Sequence, residues 1–212
     1  MKIVAINGSP RKKWNTAQML ESFLDGIRQA DGTAEIERID VYDLNYKGCR
    51  SCFGCQMKTS EKGQCVVRDD LYNVLRSIRS ADALVFASPI YYWDVTAQLR
   101  ALLERLCYPG ESDRTIPTAW IYTMNQPREV METRFRPSLD AIKFFMRTTF
   151  HSEPEEVFSF QTLHWERPEK YRFPETLYEQ RKQRHGEQFP LDLQNALEAG
   201  KRLGEKAKEA SA

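Results

Sequence analysis

A turn rich in hydroxyl and amide side chains separates an apolar run near the amino terminus from a segment with helical periodicity. The apolar run is Ile3–Ile6 and the turn is Gly8–Ala17, in which Ser9, Asn15 and Thr16 carry hydrogen-bonding side chains. The first amides of a helix have no partner within the helix and lie at the positive end of its dipole, so they attract anions. The turn therefore predicts a binding site for a phosphate group.

The same turn lacks two common nucleotide-binding patterns. It has neither the Gly-Lys-Ser/Thr ending of a P-loop nor the three-glycine spacing of a dinucleotide fingerprint. A monophosphate is therefore favoured over ATP or a pyrophosphate. A Gly-Ser-Pro turn can also be a simple connection between a strand and a capped helix, and the turn alone leaves that alternative open.

Four of the five cysteines lie close together and could bind a metal. Cys49, Cys52 and Cys55 are spaced C-x2-C-x2-C, and Cys65 follows after nine residues. Such gaps place thiolates within reach of one iron–sulfur cubane, whereas four thiolates also suit zinc, and cytosolic cysteines are often free or redox-active thiols. The spacing thus predicts a [4Fe-4S] cluster, zinc or redox thiols, while Cys107 is expected to be a small core residue.

Apolar runs and helical patterns alternate along the chain. The predicted strands are Lys2–Asn7, Ala34–Asp40, Ala83–Ser88, Thr118–Met124 and Glu156–Gln161. The predicted helices are Thr16–Ala30, Asp69–Ser80, Thr96–Cys107, Arg134–Arg147 and Leu191–Glu209. This alternation predicts a three-layer α/β fold whose doubly wound, five-stranded parallel sheet has the flavodoxin-like order 2-1-3-4-5, with a ligand beyond the carboxyl ends of the strands.

Two further loops follow predicted strands at that edge of the sheet. The loop Ser88–Asp94 contains three successive aromatic residues, Tyr91, Tyr92 and Trp93, which can flank a flat ring or else cover the sheet edge or an oligomer interface. The loop Tyr122–Gln126 offers hydroxyl, amide and main-chain groups suited to the polar edge of a pyrimidine ring. With the first turn, these loops describe a site for a phosphate, a ring face and a ring edge.

Seven short segments, taken together in this order along the chain, resemble the NADPH-dependent FMN reductase family of flavodoxin-like proteins. They are Gly8–Arg11, Asn15–Ala17, Cys65–Asp70, Ser88–Tyr91, Ala97–Arg100, Glu104–Arg105 and Phe158–Thr162. The resemblance implies bound FMN with NAD(P)H as co-substrate. It departs from the family at Tyr92–Asp94, where many relatives carry small residues such as Gly-Ser after the loop tyrosine, and this predicts narrower access for nicotinamide.

The resemblance also implies which residues hold the cofactor. The phosphate would be held by Ser9, Asn15, Thr16 and Ala17, with Arg11 at its rim. The isoalloxazine would contact Pro89, Ile90, Tyr91, Tyr92 and Trp93, and the loop with Thr123 and Met124 would meet its pyrimidine edge. No catalytic acid or base is predicted, because the cofactor itself supplies the chemistry of hydride transfer. The histidines, which are His151, His164 and His185, are predicted at the surface or at helix ends.

The cysteine spacing resembles the compact motif of iron–sulfur flavoproteins in the same superfamily, although their last gap is usually shorter. Family members without a cluster share the pattern that Gly63, Cys65, Asp69 and Asp70 form here. The expected activity is transfer of electrons from NAD(P)H through FMN to a quinone, a flavin or another small acceptor. The alternatives are an electron carrier that links FMN and a cluster to a ferredoxin-like partner, and a cofactor-free thiol sensor.

Composition narrows the partners. The 212 residues are 41% hydrophobic and carry 31 basic and 30 acidic side chains, with a net charge of +1, so no nucleic-acid or membrane partner is expected. No apolar stretch approaches about 20 residues, and the amino terminus shows no signal pattern, so a cytoplasmic protein is expected. We expect one domain over residues 1–212, with a cysteine-rich loop at 48–66 and a carboxyl-terminal arm and helix at 163–212.

The charged segment 166–190 contains too many charges and prolines to be a core element. Its basic stretches, 170–172 and 181–185, alternate with glutamates and are predicted to form a solvated helical face. We expect the segment to form an arm over a neighbouring subunit, and the family resemblance implies a homodimer or homotetramer.

Overall fold

The computed structural model describes residues 1–59, 63–106, 114–166 and 168–211. Its five strands form one parallel sheet in the order β2-β1-β3-β4-β5. The strands are β1 Lys2–Asn7, β2 Glu35–Asp40, β3 Ala83–Pro89, β4 Thr118–Thr123 and β5 Glu155–Ser159. The predicted fold class and strand order are therefore confirmed.

Helices lie on both faces of the sheet. They are α1 Asn15–Ala30, α2 Leu71–Ser80, α3 Ala97–Leu106, α4 Arg128–Val130, α5 Arg136–Phe150, α6 Glu175–Glu187 and α7 Phe189–Ser211. A π-helical turn, Met131–Phe135, joins α4 to α5. Among these described helices, none combines the length with the apolar character that crossing a lipid bilayer requires.

The structure corrects three predicted elements. The predicted Arg134–Arg147 helix starts earlier, through α4 and the π-helical turn, and continues to Phe150. Strand β5 ends before the predicted Gln161, because that residue has a left-handed backbone with φ 51° and turns the chain away. Helix α6 was not among the predicted helices, although a solvated helical face was expected at 181–185; its charged sequence has little amphipathic character, and none of its 13 residues is buried. Cys107, predicted in the core, lies outside the described residues.

Alternate residues of each central strand enter two separate cores. In β1, Ile3 and Ala5 pack towards α1 and α7, whereas Val4 and Ile6 pack towards α2, α3 and α5. This period of two is the geometry of a strand buried on both faces, which parallel sheets require. The sheet thereby fixes the direction in which every strand delivers its following loop.

Helices α1 and α7 approach each other very closely at two glycines. A methyl group on Gly26 would lie 2.0 Å from the carbonyl oxygen of Leu197, and one on Gly200 would lie 1.9 Å from that of Phe23. Main chain therefore packs on main chain, and no larger residue fits at either position. This contact holds α1 against the sheet and fixes the position of its amino terminus.

Candidate functional site

A cavity of about 80 Å³ lies at the carboxyl ends of β1, β3 and β4. Its walls are Ser9, Arg11, Trp14, Asn15, Thr16, Pro89, Ile90, Tyr91, Thr123, Met124, Thr162 and His164. The structure thus brings together nine of the twelve residues predicted to hold the cofactor. The other three lie outside these walls: Ala17 is buried within α1, and Tyr92 and Trp93 lie at the tip of the aromatic loop.

Hydrogen bonds between the main chain of the turn after β1 and neighbouring residues hold the turn in place. The Gly8 amide donates to the Ala87 carbonyl at 2.7 Å, and the Gly8 carbonyl accepts from Thr96 Oγ1 at 2.8 Å. The Ser9 amide donates to Asn7 Oδ1 at 3.1 Å. These bonds tie the turn to β3 and to the start of α3, so its shape follows from the fold.

The amino terminus of α1 is open towards the cavity. Trp14 occupies the N-cap position without a side-chain hydrogen bond, and the first turn of the helix contains no acidic residue. The leading amides of such a helix need an external acceptor. Thr16 Oγ1 lies 2.7 Å from Thr123 Oγ1 in the buried wall between α1 and β4. The donor set and the open helix end fit the phosphate of FMN.

The segment after β5 forms one wall of the cavity and contributes Thr162 and His164, which the sequence analysis does not include among the cofactor residues. The Thr162 amide donates to the Met124 carbonyl at 3.0 Å, and Asn15 Nδ2 donates to the Leu163 carbonyl at 2.7 Å. Phe158–Thr162 is one of the segments that carry the family resemblance, and it was the available indication that the end of β5 belongs to the site. Trp14 was missed as well, because its position in the turn offers no polar pattern.

His164 corrects the expectation of a surface histidine. Its ring is half-buried, and Nε2 lies 3.2 Å from Thr162 Oγ1. Burial, with the charges of Arg11 and Arg181, lowers the pKa of His164 to about 4. The imidazole is therefore neutral near pH 7. His151 is exposed at the end of α5, and His185 stacks on Phe189 near the end of α6, as expected of helix-end residues.

The aromatic loop turns tightly at its tip. The Tyr91 amide donates to the Asp94 carbonyl at 2.8 Å, and the Asp94 amide donates back at 3.2 Å. Between them Tyr92 and Trp93 have φ values of 47° and 69°, a conformation that glycine adopts without steric cost. This geometry gives a physical reason for the small residues that the resemblance places there. Tyr92 is 92% exposed, while burial raises the pKa of Tyr91.

The cysteine loop borders a second cavity, of about 440 Å³. Cys49, Cys52, Cys55 and Cys65 all lie in its wall, the first two exposed and the others partly buried. Within the described ranges, no three His, Cys, Asp or Glu side chains are grouped closely enough to hold a metal ion. The structure places the four thiols around one cavity, and their role as a ligand set stays a prediction.

Charged side chains hold this loop against α3. The buried guanidinium of Arg105 donates to Asp69 Oδ2 at 2.5 Å and to the Val67 carbonyl at 3.2 Å. Glu104 Oε2 accepts from the Cys49 amide at 3.1 Å. The Glu104–Arg105 pair that contributes to the family resemblance is therefore what anchors the cysteine loop.

Cys52 has a local environment that favours its thiolate. Hydrogen bonds from the Gly54 amide and from Arg50 lower the pKa of the exposed Cys52 thiol. The residues on either side, Ser51 and Phe53, have left-handed φ values of 54° and 55°. Thiolate, rather than thiol, is the form that binds metals and reacts as a nucleophile.

Comparison with known proteins agrees with this architecture. An iron-sulfur flavoprotein of Archaeoglobus fulgidus is 37% identical over 107 residues, which are 50% of this chain and 46% of the relative. The chain thus spans about half the length of this relative and of the other iron-sulfur flavoproteins that it matches.

Solved structures share the fold at low sequence identity. An azoreductase from Bacillus anthracis superposes with a TM-score of 0.69 at 13% identity, covering 95% of this chain and 99% of that one. An NAD(P)H:quinone oxidoreductase from Methanothermobacter marburgensis gives a TM-score of 0.66 at 18% identity, covering 96% of each chain. The sequence pattern of the NADPH-dependent FMN reductases matches residues 1–132, and the chain belongs to that family.

Proposed function

We propose that this protein binds FMN and passes electrons from NAD(P)H to a quinone, a flavin or another small acceptor. The observation that carries the proposal is the cavity at the carboxyl ends of β1, β3 and β4, where nine residues predicted from the family pattern share one wall. Membership of the reductase family and the NAD(P)H:quinone oxidoreductase among the structural neighbours support the same reaction class.

The phosphate of FMN would lie at the open amino terminus of α1. Ser9 and Asn15 lie in the cavity wall, while Arg11 adds a positive charge at its rim. An anion there accepts hydrogen bonds from the leading amides of α1 and is favoured by the helix dipole. The enclosed volume of about 80 Å³ is below the roughly 300–1,000 Å³ of a complete small-molecule site, so the ring would extend past Tyr91 towards solvent.

The two loops beside the ring position are joined to each other. The Ile90 amide donates to the Thr123 carbonyl at 2.9 Å, so the aromatic loop and the β4 loop form one rigid edge. Bound FMN would supply hydride acceptance and electron release, which need no titrating protein side chain. The residues of this edge orient the ring, and the tip at Tyr92 and Trp93 borders the space that a second ring must enter.

A second candidate function is electron exchange between FMN, an iron–sulfur cluster and a ferredoxin-like protein. It is favoured by the four thiols that share the wall of one cavity and by relatives named iron-sulfur flavoproteins. Metal binding often completes a site that is not preformed, so the loop would close around the cluster. In this case NADPH oxidation would be slow or absent.

One preparation distinguishes these functions. Visible absorption of protein purified without oxygen reports flavin, and iron and acid-labile sulfide are assayed on the same sample. Flavin with rapid NADPH oxidation and a quinone acceptor supports the reductase, whereas flavin with about four irons per chain and no NADPH oxidation supports the carrier. A colourless protein that takes up no added FMN contradicts both.

A pair of threonine variants tests the position of the phosphate. Thr16→Val removes the hydroxyl beside Thr123 and should weaken FMN binding about tenfold, the effect of one lost hydrogen bond to a charged group. Thr148→Val, on the exposed face of α5, is the matched control and should bind FMN like the unmodified protein. Equal affinity in both variants would place the phosphate elsewhere.

We also propose that the chain forms a single domain that associates as a homodimer or homotetramer, with the segment 166–190 as an arm. The absence of buried residues in the described helix α6 supports an external role for this segment. Deletion of residues 167–190 should lower the number of subunits per particle, obtained by light scattering as the particle mass divided by the mass of the shortened chain. An unchanged number of subunits would show that the arm is not part of the interface.

A further inference from the structure

Two more cavities share Arg11 with the cavity of about 80 Å³ that is proposed to hold the FMN phosphate, here called the phosphate cavity. The larger, of about 530 Å³, lies between the start of α1 and the segment that contains Trp165 and Tyr171. The smaller, of about 190 Å³, extends from there to Arg181 on α6. Both share Arg11 and His164 with the phosphate cavity, so the three spaces meet at these two side chains.

The walls of these two cavities carry unneutralised positive charge. Within the described chain, Arg11 and Arg181 form no ion pair, and their guanidinium groups donate to the carbonyl oxygens of His164 and Asn125. Lys13 and Lys170 also lack a described carboxylate partner, unlike Lys12, which binds Asp43 at 2.6 Å. Glu166 is the one carboxylate among the wall residues described. The excess of basic over acidic side chains in these walls favours an anionic ligand.

Aromatic side chains form the rest of the walls. Trp165 is only 8% exposed and stacks on Phe173 with ring centroids 4.6 Å apart, while Tyr171 and Phe173 remain about half exposed. The half-exposed faces of Tyr171 and Phe173 lie in the same walls as Arg11 and Arg181, which have no described ion pair. These walls favour a ligand that joins a flat ring to an anionic group.

Resting on the proposed FMN site, we propose that these joined cavities bind an adenylate group, with its phosphate between Arg11 and Arg181 and its purine among Trp165, Tyr171 and Phe173. A guanidinium pair suits phosphate, and aromatic faces suit a heterocyclic ring. The volume of the larger cavity lies in the range of small-molecule sites. The adenylate belongs either to NAD(P)H, whose other end reaches the flavin, or to FAD in place of FMN.

The test is calorimetric titration of the full-length, FMN-saturated protein with 2′,5′-ADP, 5′-AMP and inorganic phosphate. We expect an adenylate to bind at least tenfold more tightly than inorganic phosphate. Competition of 2′,5′-ADP with NADPH in the oxidation assay assigns the site to the pyridine nucleotide. Tighter binding of FAD than of FMN to flavin-free protein, with loss of the 5′-AMP signal once FAD is bound, assigns it to the flavin.

Two arginine variants make the test specific. Arg181→Met removes a guanidinium whose described hydrogen bond is to the Asn125 carbonyl, and it should weaken adenylate binding at least tenfold while FMN still binds. Arg202→Met, which removes an exposed guanidinium on α7 that pairs with Glu155, is the control and should leave both affinities unchanged.

The proposal is overturned if no adenylate binds more tightly than inorganic phosphate, or if Arg181→Met binds adenylate like the unmodified protein. Failure of the FMN site would be seen separately, as absence of flavin binding. The same adenylate titration on the flavin-free protein then still decides the question for these cavities.

Discussion

The phosphate turn and the cysteine loop represent two ways of building a site. The turn, Gly8–Ala17, is fixed at Gly8, whose amide donates to a β3 carbonyl and whose carbonyl accepts from the Thr96 hydroxyl just before α3, and it surrounds a cavity that already exists. The cysteine loop is held by charged side chains, chiefly Arg105 and Glu104, and its sulfurs surround a larger cavity without forming a described metal site. The shape of the first region follows from the fold, whereas the described positions of the four thiols do not by themselves form a binding site.

The physical basis of this difference is the source of the donors. Helix amides and strand ends occupy positions that the sheet dictates, so a phosphate site needs little adjustment on binding. The thiols lie on a loop with left-handed residues at Ser51 and Phe53, and if they bind a metal, as proposed, its binding would draw them together. Variants in the cysteine loop should therefore lose bound metal, whereas variants in the phosphate turn should lose affinity for FMN.

The largest expected effect is the loss of bound metal from a cysteine variant. Cys52→Ala removes the exposed thiol whose pKa is lowered by the Gly54 amide and Arg50, and it should abolish at least nine-tenths of the iron or zinc. Flavin content should not change, because the phosphate cavity shares no wall residue with the loop. Elemental analysis with flavin absorbance measures both. Cys107→Ala, outside the C-x2-C spacing, is the matched control.

Three results would change this comparison. Simultaneous loss of flavin and metal from Cys52→Ala would show that the two regions form one site. Retention of the metal by that variant would exclude Cys52 as a ligand. An unmodified protein that holds no metal would leave the loop as a set of reactive thiols, whose rate of alkylation should be highest at Cys52.

The next effect is on stability. Arg105→Met removes a guanidinium that is 2% exposed and leaves Asp69 and two carbonyls without their donor. We expect the free energy of unfolding to fall by about 3 kcal/mol, the low end for breaking a buried pair, because Asp69 keeps some contact with water. Urea denaturation measures this, with Arg28→Met as the control because its exposed ion pairs contribute at most about 1 kcal/mol. A similar midpoint in both variants would contradict the anchoring role of Arg105.

Sequence patterns predicted the first region better than the second. Strand runs such as Lys2–Asn7 and the turn after them follow from periodicity, and the topology then brings Thr123 to Thr16. Nothing local indicated that His164 would meet Arg11, because their contact depends on where the chain turns after β5. Thiol positions around Cys49 were beyond prediction for a different reason: spacing gives the number of ligands but not the loop geometry.

A smaller effect is expected from closing the open helix end. Trp14→Asp places a carboxylate at the N-cap of α1, where it can accept hydrogen bonds from the helix amides and stabilise the helix by about 1 kcal/mol. The same carboxylate competes with a phosphate and repels it. FMN affinity should fall at least tenfold while the free energy of unfolding stays within about 1 kcal/mol.

Fluorescence titration with FMN and urea denaturation measure the two quantities for Trp14→Asp. Trp14→Phe is the control, because it keeps an aromatic ring in the cavity wall and adds no charge. If the aspartate variant bound FMN like the phenylalanine variant, the helix end would not be the phosphate site, and the preformed character of this region would lose its main support.

The smallest effect concerns pH and His164. In the folded chain its pKa is about 4, whereas its ordinary value is 6.5, so the unfolded chain takes up a proton first as the pH falls. Stability should therefore decrease as the pH falls from about 6.5 to about 4. His164→Gln should lack this part of the decrease in pH-dependent urea denaturation, whereas His151→Asn, which suits a left-handed position, should retain it. A phosphate bound beside Arg11 would offset the positive charge that lowers the pKa, so ligand should reduce the decrease in the unmodified protein. An equal decrease with and without ligand would show that burial alone sets the pKa, and that the anion binds away from His164.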